Sequence, residues 1–322
     1  MNVVLVTGGA GYIGSHVCKA LFRNGFLPVV YDNLSKGHSY AVKWGPLVEG
    51  DLGDRKALKE VCRIYRPMAA FHFAADALVP ESMINPAKYY RNNTVNSLNL
   101  LEVLCEMDVP HLVFSGTCAV YGIPQFLPIT EEHPLAPINP YGRSKQMIEW
   151  MLKDFEDAYG LRFAVLRYFN AAGADLDLEI GEDHFPETHL LPSLIQSALN
   201  REEITLYGTD FPTRDGSAIR DYIHVQDLAE AHLAALCYLM NKRKSVTVNL
   251  GSEKGTSVLE LYKAVEEYSG QKINARFGPR RAGDPPSLVA SAEKAKELLG
   301  WTPKYSDLKT LIESAWGWHE KF

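Results

Sequence analysis

The 322-residue sequence lacks a long uninterrupted hydrophobic run, the feature that indicates a membrane-spanning helix. Its most apolar late segment, LAEAHLAALCYLM at residues 228–240, contains Glu230 and His232 and is too short to cross a bilayer. The N-terminal run MNVVLVTGG has no positively charged leader before a long apolar core, so we expect a first β-strand and no signal peptide. We therefore predict that the protein has no membrane partner.

Cysteine is scarce and shows no pattern. The five cysteines are scattered, and no pair has the spacing of metal ligands or of a redox pair, which favours a reduced cytoplasmic protein. The ten histidines form no HExxH-type cluster, so we predict no metal. The net charge of −6 is well mixed and includes no basic block, which argues against nucleic acid as a partner.

What the chain does contain is a regular alternation of short apolar runs and longer helical patterns. This alternation predicts βαβ units, a parallel sheet and helices on both of its faces. The predicted strands are Val3–Thr7, Pro28–Tyr31, Ala69–Phe73, His111–Phe114 and Arg162–Arg167, and the predicted helices cover about 12–24, 54–65, 87–107 and 140–159. The expected fold class is α/β, a doubly wound parallel-sheet Rossmann domain.

The pattern loosens after about residue 170 into a polar, turn-rich stretch, and RDYIHVQDLAEAHLAAL then returns to strand and helix. We expect the Rossmann domain to cover residues 1–169, with about 218–250 returning to it. A smaller, interwoven C-terminal α/β domain would cover 170–217 and 251–322. No Ser/Gly-rich linker separates the two, so the second domain is expected to be built from separate segments.

A glycine-rich turn follows the first strand and opens the first helix. Gly8, Gly11 and Gly14 let the turn close and let a pyrophosphate approach the free N–H groups of the helix. Asp32 ends the second strand 18 residues beyond Gly14, where a carboxylate accepts both ribose hydroxyls and repels a 2′-phosphate. The pattern therefore favours NAD over NADP. Asp51 ends the next apolar stretch and fits a turn cap as well as an adenine contact.

Three further residues fit acid–base chemistry. Thr117 lies at the end of a strand, at the sheet edge where parallel sheets bind ligands, although a hydroxyl there also commonly caps a turn. In NPYGRSK, Asn139 is expected to be the N-cap and Pro140 the first helical residue, so Tyr141 and Lys145 share one helix face. An ammonium one turn away favours the phenolate, so we expect a lowered phenol pKa suited to removing a hydroxyl proton.

These motifs and the overall length resemble the extended short-chain dehydrogenase/reductase superfamily. The finer resemblance is to UDP-glucose 4-epimerases, also called UDP-galactose 4-epimerases, and it runs nearly end to end. The segments that carry it occur in the same order as in that family: TGGAGYIG, HFAADALVPES, YYRNNTVNSLNLLE, GTCAVYG, LRYFNAAGA, GEDHFPETHLLP, IRDYIHVQDLAEAH and RRAGDP.

The resemblance implies NAD as cofactor, a UDP-sugar as substrate, and roles for individual residues. The implied catalytic residues are Thr117, Tyr141 and Lys145. The implied cofactor site comprises Gly8, Gly11, Tyr12, Ile13, Gly14, Asp32, Asn33, Asp51, Leu52, Phe73, Ala74, Ala75, Asn93, Tyr141, Lys145 and Phe169. The implied substrate site comprises Thr117, Asn170, His189, Leu190, Leu206, Tyr207, Arg220, Arg281 and Leu288. From the residues alone, Arg220 beside Asp221 fits a surface ion pair equally well.

The implied reaction is the reversible epimerisation of UDP-glucose and UDP-galactose at C4 through a transient 4-keto sugar. The sequence departs from some family members at Ala77, where they have a lysine, and at His189, where they have an asparagine. Leu288 stands where a large aromatic residue restricts N-acetylated sugars, so we expect UDP-N-acetylhexosamines to be possible substrates as well.

Three other functions are alternatives to this reaction, and the resemblance also implies an assembly state. A 4,6-dehydratase needs an acidic pair after the threonine, where this chain has Cys118 and Ala119. A 4-epimerase of UDP-pentoses or UDP-glucuronate would use the same catalytic residues, and a non-catalytic NAD-binding regulator would not need them. The resemblance also implies a homodimer formed by the long helices near 87–107 and 140–159.

Overall fold

Six strand-forming runs of the first 170 residues and a seventh at 246–250 assemble into an entirely parallel sheet in the order β10-β6-β5-β4-β1-β2-β3. The computed structural model describes residues 2–281 and 284–321, so two residues of the RRAGDP segment lie outside the described part. The strands of this sheet are β1 Asn2–Thr7, β2 Phe26–Asp32, β3 Leu47–Glu49, β4 Ala69–His72, β5 His111–Thr117, β6 Arg162–Tyr168 and β10 Val246–Leu250.

Helices cover both faces of this sheet because alternate side chains of each strand point to opposite sides. Val4 and Val6 of β1 join a core with α1 and α8, whereas Leu5 joins a second core with α2, α5 and α6. The helices are α1 Tyr12–Arg23, α2 Arg55–Tyr65, α3 Val79–Ile84, α4 Pro86–Tyr89, α5 Asn96–Glu106, α6 Pro140–Tyr159, α7 Leu190–Asn200, α8 Val225–Lys242, α9 Val258–Ser269, α10 Glu293–Leu299 and α11 Leu308–His319.

The second half of the chain adds two smaller sheets and a third core. In one sheet β9 pairs with β7, β11 and β13; the other pairs β8 with β12. Helices α7, α9 and α11 contribute to the third core. The remaining strands are β7 Asn170–Ala172, β8 Ile204–Tyr207, β9 Ile219–His224, β11 Gly255–Ser257, β12 Ala275–Gly278 and β13 Ser287–Leu288.

The α/β, doubly wound fold predicted from the alternation is confirmed, and two details differ. The strand at 219–224 lies in a small sheet, so the chain returns to the large sheet only with α8 and β10, one element later than predicted. The predicted helix over 87–107 is interrupted by a π-helical segment at Tyr90–Val95. That wider turn carries Asn93, whose buried side chain binds the loop after β4.

No helix within residues 2–281 and 284–321 is both long and apolar enough to span a membrane.

Candidate active site

The carboxyl ends of β1, β2, β4, β5 and β6 meet at one edge of the large sheet, because all five strands run in the same direction. This edge carries most of the predicted site. The glycine turn follows β1, Asp32 ends β2, Phe73 to Ala75 follow β4, Thr117 ends β5 and Phe169 follows β6.

The glycine turn is closely packed against its own backbone. Gly8 has φ +75°, and a Cβ there would lie 2.4 Å from the Ala74 nitrogen, while a Cβ on Gly14 would lie 2.3 Å from the Gly8 oxygen. Gly11 is the N-cap of α1 and offers no side-chain cap to the first N–H groups of the helix. The turn therefore fits the predicted role, since Gly8 and Gly14 allow the backbone to pack this closely and the first N–H groups of α1 have no side-chain cap.

Tyr12 and Ile13 begin helix α1, so their backbone N–H groups belong to this anion-binding turn. The Tyr12 side chain turns away from it, and its hydroxyl donates to the Gly173 carbonyl oxygen over 2.5 Å. A contact between Tyr12 and the cofactor would therefore come from its backbone.

Asp32 lies at the second position predicted for a dinucleotide. Its carboxylate accepts hydrogen bonds from the backbone N–H groups of Ala10, at 3.0 Å, and Leu34, at 2.9 Å. Burial raises the pKa of Asp32, and these two hydrogen bonds oppose that rise. The carboxylate is thereby fixed in a rigid orientation at the mouth of a cleft.

This cleft contains several residues that the sequence analysis did not single out. Alongside the predicted Gly8, Gly11, Asp32, Asn33, Asp51, Leu52, Phe73, Ala74 and Ala75, its walls include Tyr31, Ser35, Lys36, Gly37, Gly50, Asp76 and Asn92. Their position in the sequence could have indicated them, because all but Asn92 lie within five residues of the carboxyl end of β2, β3 or β4. Asp51 fits both roles that the sequence left open, a turn cap and an adenine contact. Its carboxylate accepts from the Gly53 N–H at 2.7 Å and from Asn33 at 2.6 Å, and the residue also faces the cleft.

Asn93 has a supporting position. Its amide oxygen accepts from the Asp76 N–H at 2.8 Å, and its amide nitrogen donates to the Asp76 oxygen and to the Ser144 hydroxyl. Asn93 was predicted to contact the cofactor, but both N–H groups of its side-chain amide are already bonded within the protein. Asn92 is the residue of this pair that faces the cleft.

The three predicted catalytic residues converge at the ends of β5 and α6. The Asn139 side chain accepts from the Gly142 N–H at 2.8 Å, which confirms the predicted N-cap. The Tyr141 phenol lies within hydrogen-bonding reach of Thr117. Lys145 donates to the Ser115 carbonyl oxygen over 3.0 Å, and its ammonium nitrogen lies 4.8 Å from the Phe114 ring centre.

The pKa values of Tyr141 and Lys145 differ from the expectation. Burial raises the pKa of Tyr141 to about 12, with the Thr117 hydrogen bond acting in the opposite direction. Burial also lowers the pKa of Lys145 to about 7, against the favourable charge of Glu149. The predicted lowering of the phenol pKa by Lys145 is therefore wrong for the chain alone, because both groups are desolvated and the ammonium is itself disfavoured.

In the second half of the chain, two arginines meet at one carboxylate. Arg220 donates to the Pro285 oxygen over 3.0 Å and reaches Asp284 at 3.4 Å. Arg281 donates to Asp284 over 3.1 Å, and its guanidinium lies 5.3 Å from the Tyr207 ring centre. The structure thus brings together three of the predicted substrate residues around Asp284, which the sequence analysis did not single out.

The surface-pair reading of Arg220 and Asp221 is wrong. Asp221 is fully buried and accepts from the backbone N–H groups of Ser252, Glu253 and Ala290. Adjacent residues of a strand face opposite sides, so burying Asp221 directs Arg220 to the other face of β9.

The remaining predicted substrate residues occupy different environments. Leu288 is opposite Arg220 in the strand register and packs against the cluster that contains Phe169. Leu206 is buried in the third core, so its side chain faces away from solvent while Tyr207 is exposed. Asn170 begins β7 and Leu190 begins α7.

His189 contacts carboxylates. Its Nδ1 lies 2.7 Å from Glu182 and 3.1 Å from Glu187. Although burial lowers the pKa of His189, the two carboxylates outweigh it and raise the pKa to about 10.

Comparisons with known proteins agree with this geometry. The NAD dependent epimerase/dehydratase family matches residues 4–251. The chain belongs to this family. NAD is therefore its cofactor, and the glycine turn and the Asp32 cleft described above fit that molecule.

Individual relatives are similar over almost their whole length. A UDP-glucose 4-epimerase of Rhizobium meliloti (strain 1021) is 50% identical over 99% of this chain and 98% of its own. The crystal structure of a UDP-glucose 4-epimerase from Brucella ovis in complex with NAD has a TM-score of 0.96 and 49% identity, covering 98% of each chain. A UDP-Glc/GlcNAc 4-epimerase from Campylobacter jejuni has a TM-score of 0.87 and 40% identity, covering 100% of each chain.

Proposed function

We propose that this member of the epimerase/dehydratase family is a UDP-glucose 4-epimerase, which interconverts UDP-glucose and UDP-galactose through a 4-keto sugar. The observation that carries the proposal is the meeting of Tyr141, Thr117 and Lys145 at the sheet edge that also holds the glycine turn. About half of the residues are identical to those of relatives named for this activity.

NAD supplies a reversible hydride acceptor when it is bound. Tyr141 is the base that takes the proton from the sugar 4-hydroxyl, and Thr117 hydrogen-bonds the same oxygen. The buried phenol of the chain alone holds its proton tightly, so the base forms when positive charge accumulates beside it. Lys145 is fixed on the Ser115 carbonyl, one helical turn from the phenol, where its ammonium contributes to that charge.

Arg220 and Arg281 hold the substrate diphosphate in this proposal. Their shared contact with Asp284 keeps two guanidinium groups close together before any anion arrives. Two phosphates offer the planar, bidentate acceptors that guanidinium groups bind well. Holding only the nucleotide leaves the sugar free to turn about its diphosphate link and present its other face to Tyr141.

The decisive experiment is to incubate the purified protein with UDP-galactose, without added NAD, and to follow UDP-glucose by NMR. We expect conversion to an equilibrium mixture. A parallel reaction with added NAD separates loss of the cofactor from absence of activity. No conversion in either reaction would contradict the proposal and favour a non-catalytic NAD-binding regulator.

The sugar range is a finer part of the proposal. UDP-N-acetylhexosamines are accepted as well, because Leu288 is a half-buried aliphatic residue next to the cluster that contains Phe169. Turnover of UDP-N-acetylgalactosamine by the wild type tests this, and Leu288→Tyr should reduce it more than turnover of UDP-galactose. An undetectable N-acetyl reaction would contradict it.

Related reactions are separated by the same assay. UDP-pentoses and UDP-glucuronate should be turned over more slowly than UDP-galactose, and the reverse order would favour the alternative 4-epimerase. A dehydratase is disfavoured because Cys118 follows Thr117, and burial raises the pKa of that thiol to about 12. An uncharged thiol of this strength is a poor substitute for a carboxylic acid.

We also propose that the protein is a cytoplasmic homodimer. Large apolar side chains are exposed on the helices predicted to pair, with Trp150 of α6 at 56%, Val95 at 52% and Leu98 of α5 at 37%. Burying them against a second copy would remove apolar area from water. Sedimentation equilibrium should give twice the chain mass for the wild type, and the Trp150→Glu substitution should shift the measured mass towards that of the monomer.

The proposed cytoplasmic location is supported by the cysteines. All five are free, as suits a reducing compartment.

A further inference from the structure

A second polar cluster lies outside the proposed active site, in the stretch between β7 and α7. Four side chains converge there within an eight-residue span: Glu182, His184, Glu187 and His189. One ligand atom from each lies within 4.8 Å of all the others. Imidazole nitrogens and carboxylate oxygens in equal number form the type of donor set that Zn²⁺ uses.

The distances within the cluster suit a tetrahedral ion. Glu182 Oε1 lies 3.2 Å from His184 Nδ1 and 2.7 Å from His189 Nδ1, and Glu187 Oε2 lies 3.8 Å from His184 Nδ1. Zinc bonds of about 2.0–2.1 Å place tetrahedral ligands about 3.3 Å apart. The observed separations bracket that value, so small side-chain rotations would complete the site.

An unsatisfied buried atom points independently to a missing ligand. The Glu187 side chain is only 4% exposed. Its Oε1 accepts from the backbone N–H groups of Thr188 and His189, at 2.7 and 2.8 Å, but its buried Oε2 has no hydrogen-bond partner and faces His184. Leaving a carboxylate oxygen buried without a partner is costly, and a cation bound to it removes that cost.

The segment that carries the cluster packs against helices α1 and α11. The Glu182 carbonyl oxygen accepts from the Trp318 indole N–H at 3.0 Å, and a Cβ on the preceding Gly181 would lie 2.3 Å from the same ring. His184 packs edge-on to Tyr12, with ring centres 6.5 Å apart. The backbone that carries the ligands is therefore anchored to α1 and α11, which favours binding without large rearrangement.

A neighbouring acidic cluster provides a contrast. Asp175, Asp177 and Glu179 also lie close together, but Lys19 Nζ contacts all three at 2.6–2.8 Å. There an ammonium group of the protein already supplies the positive charge. The histidine-containing cluster has no lysine or arginine contact among the ion pairs of the described residues.

We propose that Glu182, His184, Glu187 and His189 form a structural site for one divalent transition-metal ion, with Zn²⁺ the best fit. Four protein ligands would close the coordination shell, so the ion stabilises the segment before α7 and takes no part in the reaction. The proposal is independent of the epimerase assignment. It revises the expectation that the protein lacks a metal, and it makes His189 a metal ligand in place of a substrate contact.

The test is calorimetric titration of Zn²⁺ into the untagged full chain after removal of metals with EDTA, with Mg²⁺ titrated as a comparison. We expect one equivalent of Zn²⁺ to bind and Mg²⁺ to bind at least tenfold more weakly. Glu187→Gln should weaken Zn²⁺ binding at least tenfold, whereas the matched control Glu179→Gln, in the Lys19 cluster, should bind as the wild type does.

Thermal unfolding provides a second readout. Zn²⁺ should raise the melting temperature of the wild type and of Glu179→Gln, but not that of Glu187→Gln or His184→Gln. The second substitution keeps the test valid if the first one prevents folding. Absence of Zn²⁺ binding to the wild type, or unchanged affinity in both cluster variants, would show that the four side chains are only an ion-pair cluster with a protonated His189.

Discussion

The cofactor side and the substrate side of the candidate active site are built differently. The cofactor side is made of backbone in close contact, with glycines at positions where a Cβ would clash at 2.3–2.4 Å and with Asp32 held by two backbone N–H groups. The substrate side is made of long side chains: Arg281 is 56% exposed, and Arg220 and Arg281 share one carboxylate, Asp284.

This difference matches the expected lifetimes of the two ligands. A rigid, preformed backbone site loses little conformational entropy on binding and therefore retains its ligand. Arginines paired with Asp284 can exchange that carboxylate for a diphosphate and return to it when the product leaves. An enzyme that regenerates its NAD in every cycle benefits from this asymmetry, and each prediction below tests one side of it.

The largest effect is expected where the two sides meet. Tyr141→Phe removes the phenol oxygen proposed as the base, and general acid–base catalysis contributes about 10²–10⁴-fold. We expect kcat for UDP-galactose epimerisation to fall about 10³-fold while NAD content stays normal. Tyr159→Phe, an exposed tyrosine on the same helix, is the matched control. Near-wild-type turnover by Tyr141→Phe would remove this residue from the mechanism.

Two glycine substitutions separate folding from cofactor binding. A Cβ on Gly14 meets the Gly8 backbone at 2.3 Å, so Gly14→Ala should lower the free energy of unfolding by about 1–3 kcal/mol. A Cβ on Gly11 meets the same oxygen only at 3.4 Å, an ordinary contact. Gly11→Ala should therefore unfold at the wild-type urea concentration once NAD is removed from both proteins. It should nevertheless bind NAD at least tenfold more weakly; unchanged NAD affinity would place the pyrophosphate elsewhere.

Much of the cofactor side could be predicted from the sequence because its rules are local. The spacing of Gly8, Gly11 and Gly14 after a strand, and of Tyr141 and Lys145 within one helical turn, are properties of short segments. The resemblance to known epimerases added the arginines, which no local rule distinguishes from surface residues. In physical terms, their position depends on β9 pairing with β13, 68 residues further along the chain.

The features that were missed depend on tertiary contacts. The π-helical segment at Tyr90–Val95 arises where Asn93 reaches across to Asp76 and Ser144. The raised pKa of Tyr141 comes from burial, which spacing along a helix cannot report. Asp284 acquires its role only when the distant Arg220 is brought to it, beside the neighbouring Arg281.

On the substrate side, neighbouring arginines offer a matched pair. Arg281 contacts Asp284 and Tyr207, whereas Arg280 contacts Asp210 and the Phe211 ring. Arg281→Gln should raise KM for UDP-galactose about tenfold or more, since a hydrogen bond to a charged group contributes about 1.5–3 kcal/mol. NAD content should not change. Arg280→Gln should stay within a few-fold of the wild type, and equal effects of the two substitutions would argue against a diphosphate clamp at Arg281.

The last effect concerns the buried Lys145 and is read from stability. A lysine with a folded-state pKa near 7 and an unfolded-state pKa near 10.5 binds its proton less well when folded, which costs stability at pH values below 7. The cost fades as the pH rises from about 7 towards 10.5, because the unfolded chain then also loses its proton. Lys145→Met removes this cost at every pH.

In urea unfolding of NAD-free protein, the stability of Lys145→Met relative to wild type should therefore be highest at pH 6 and should decline towards pH 10. Each pKa unit corresponds to about 1.4 kcal/mol. Lys145→Met also loses the hydrogen bond to Ser115. That loss changes the stability difference between variant and wild type at every pH, but it does not change the direction in which the difference varies with pH. A difference that is flat between pH 7 and 10 would mean that Lys145 keeps an ordinary pKa and that burial does not destabilise its ammonium form.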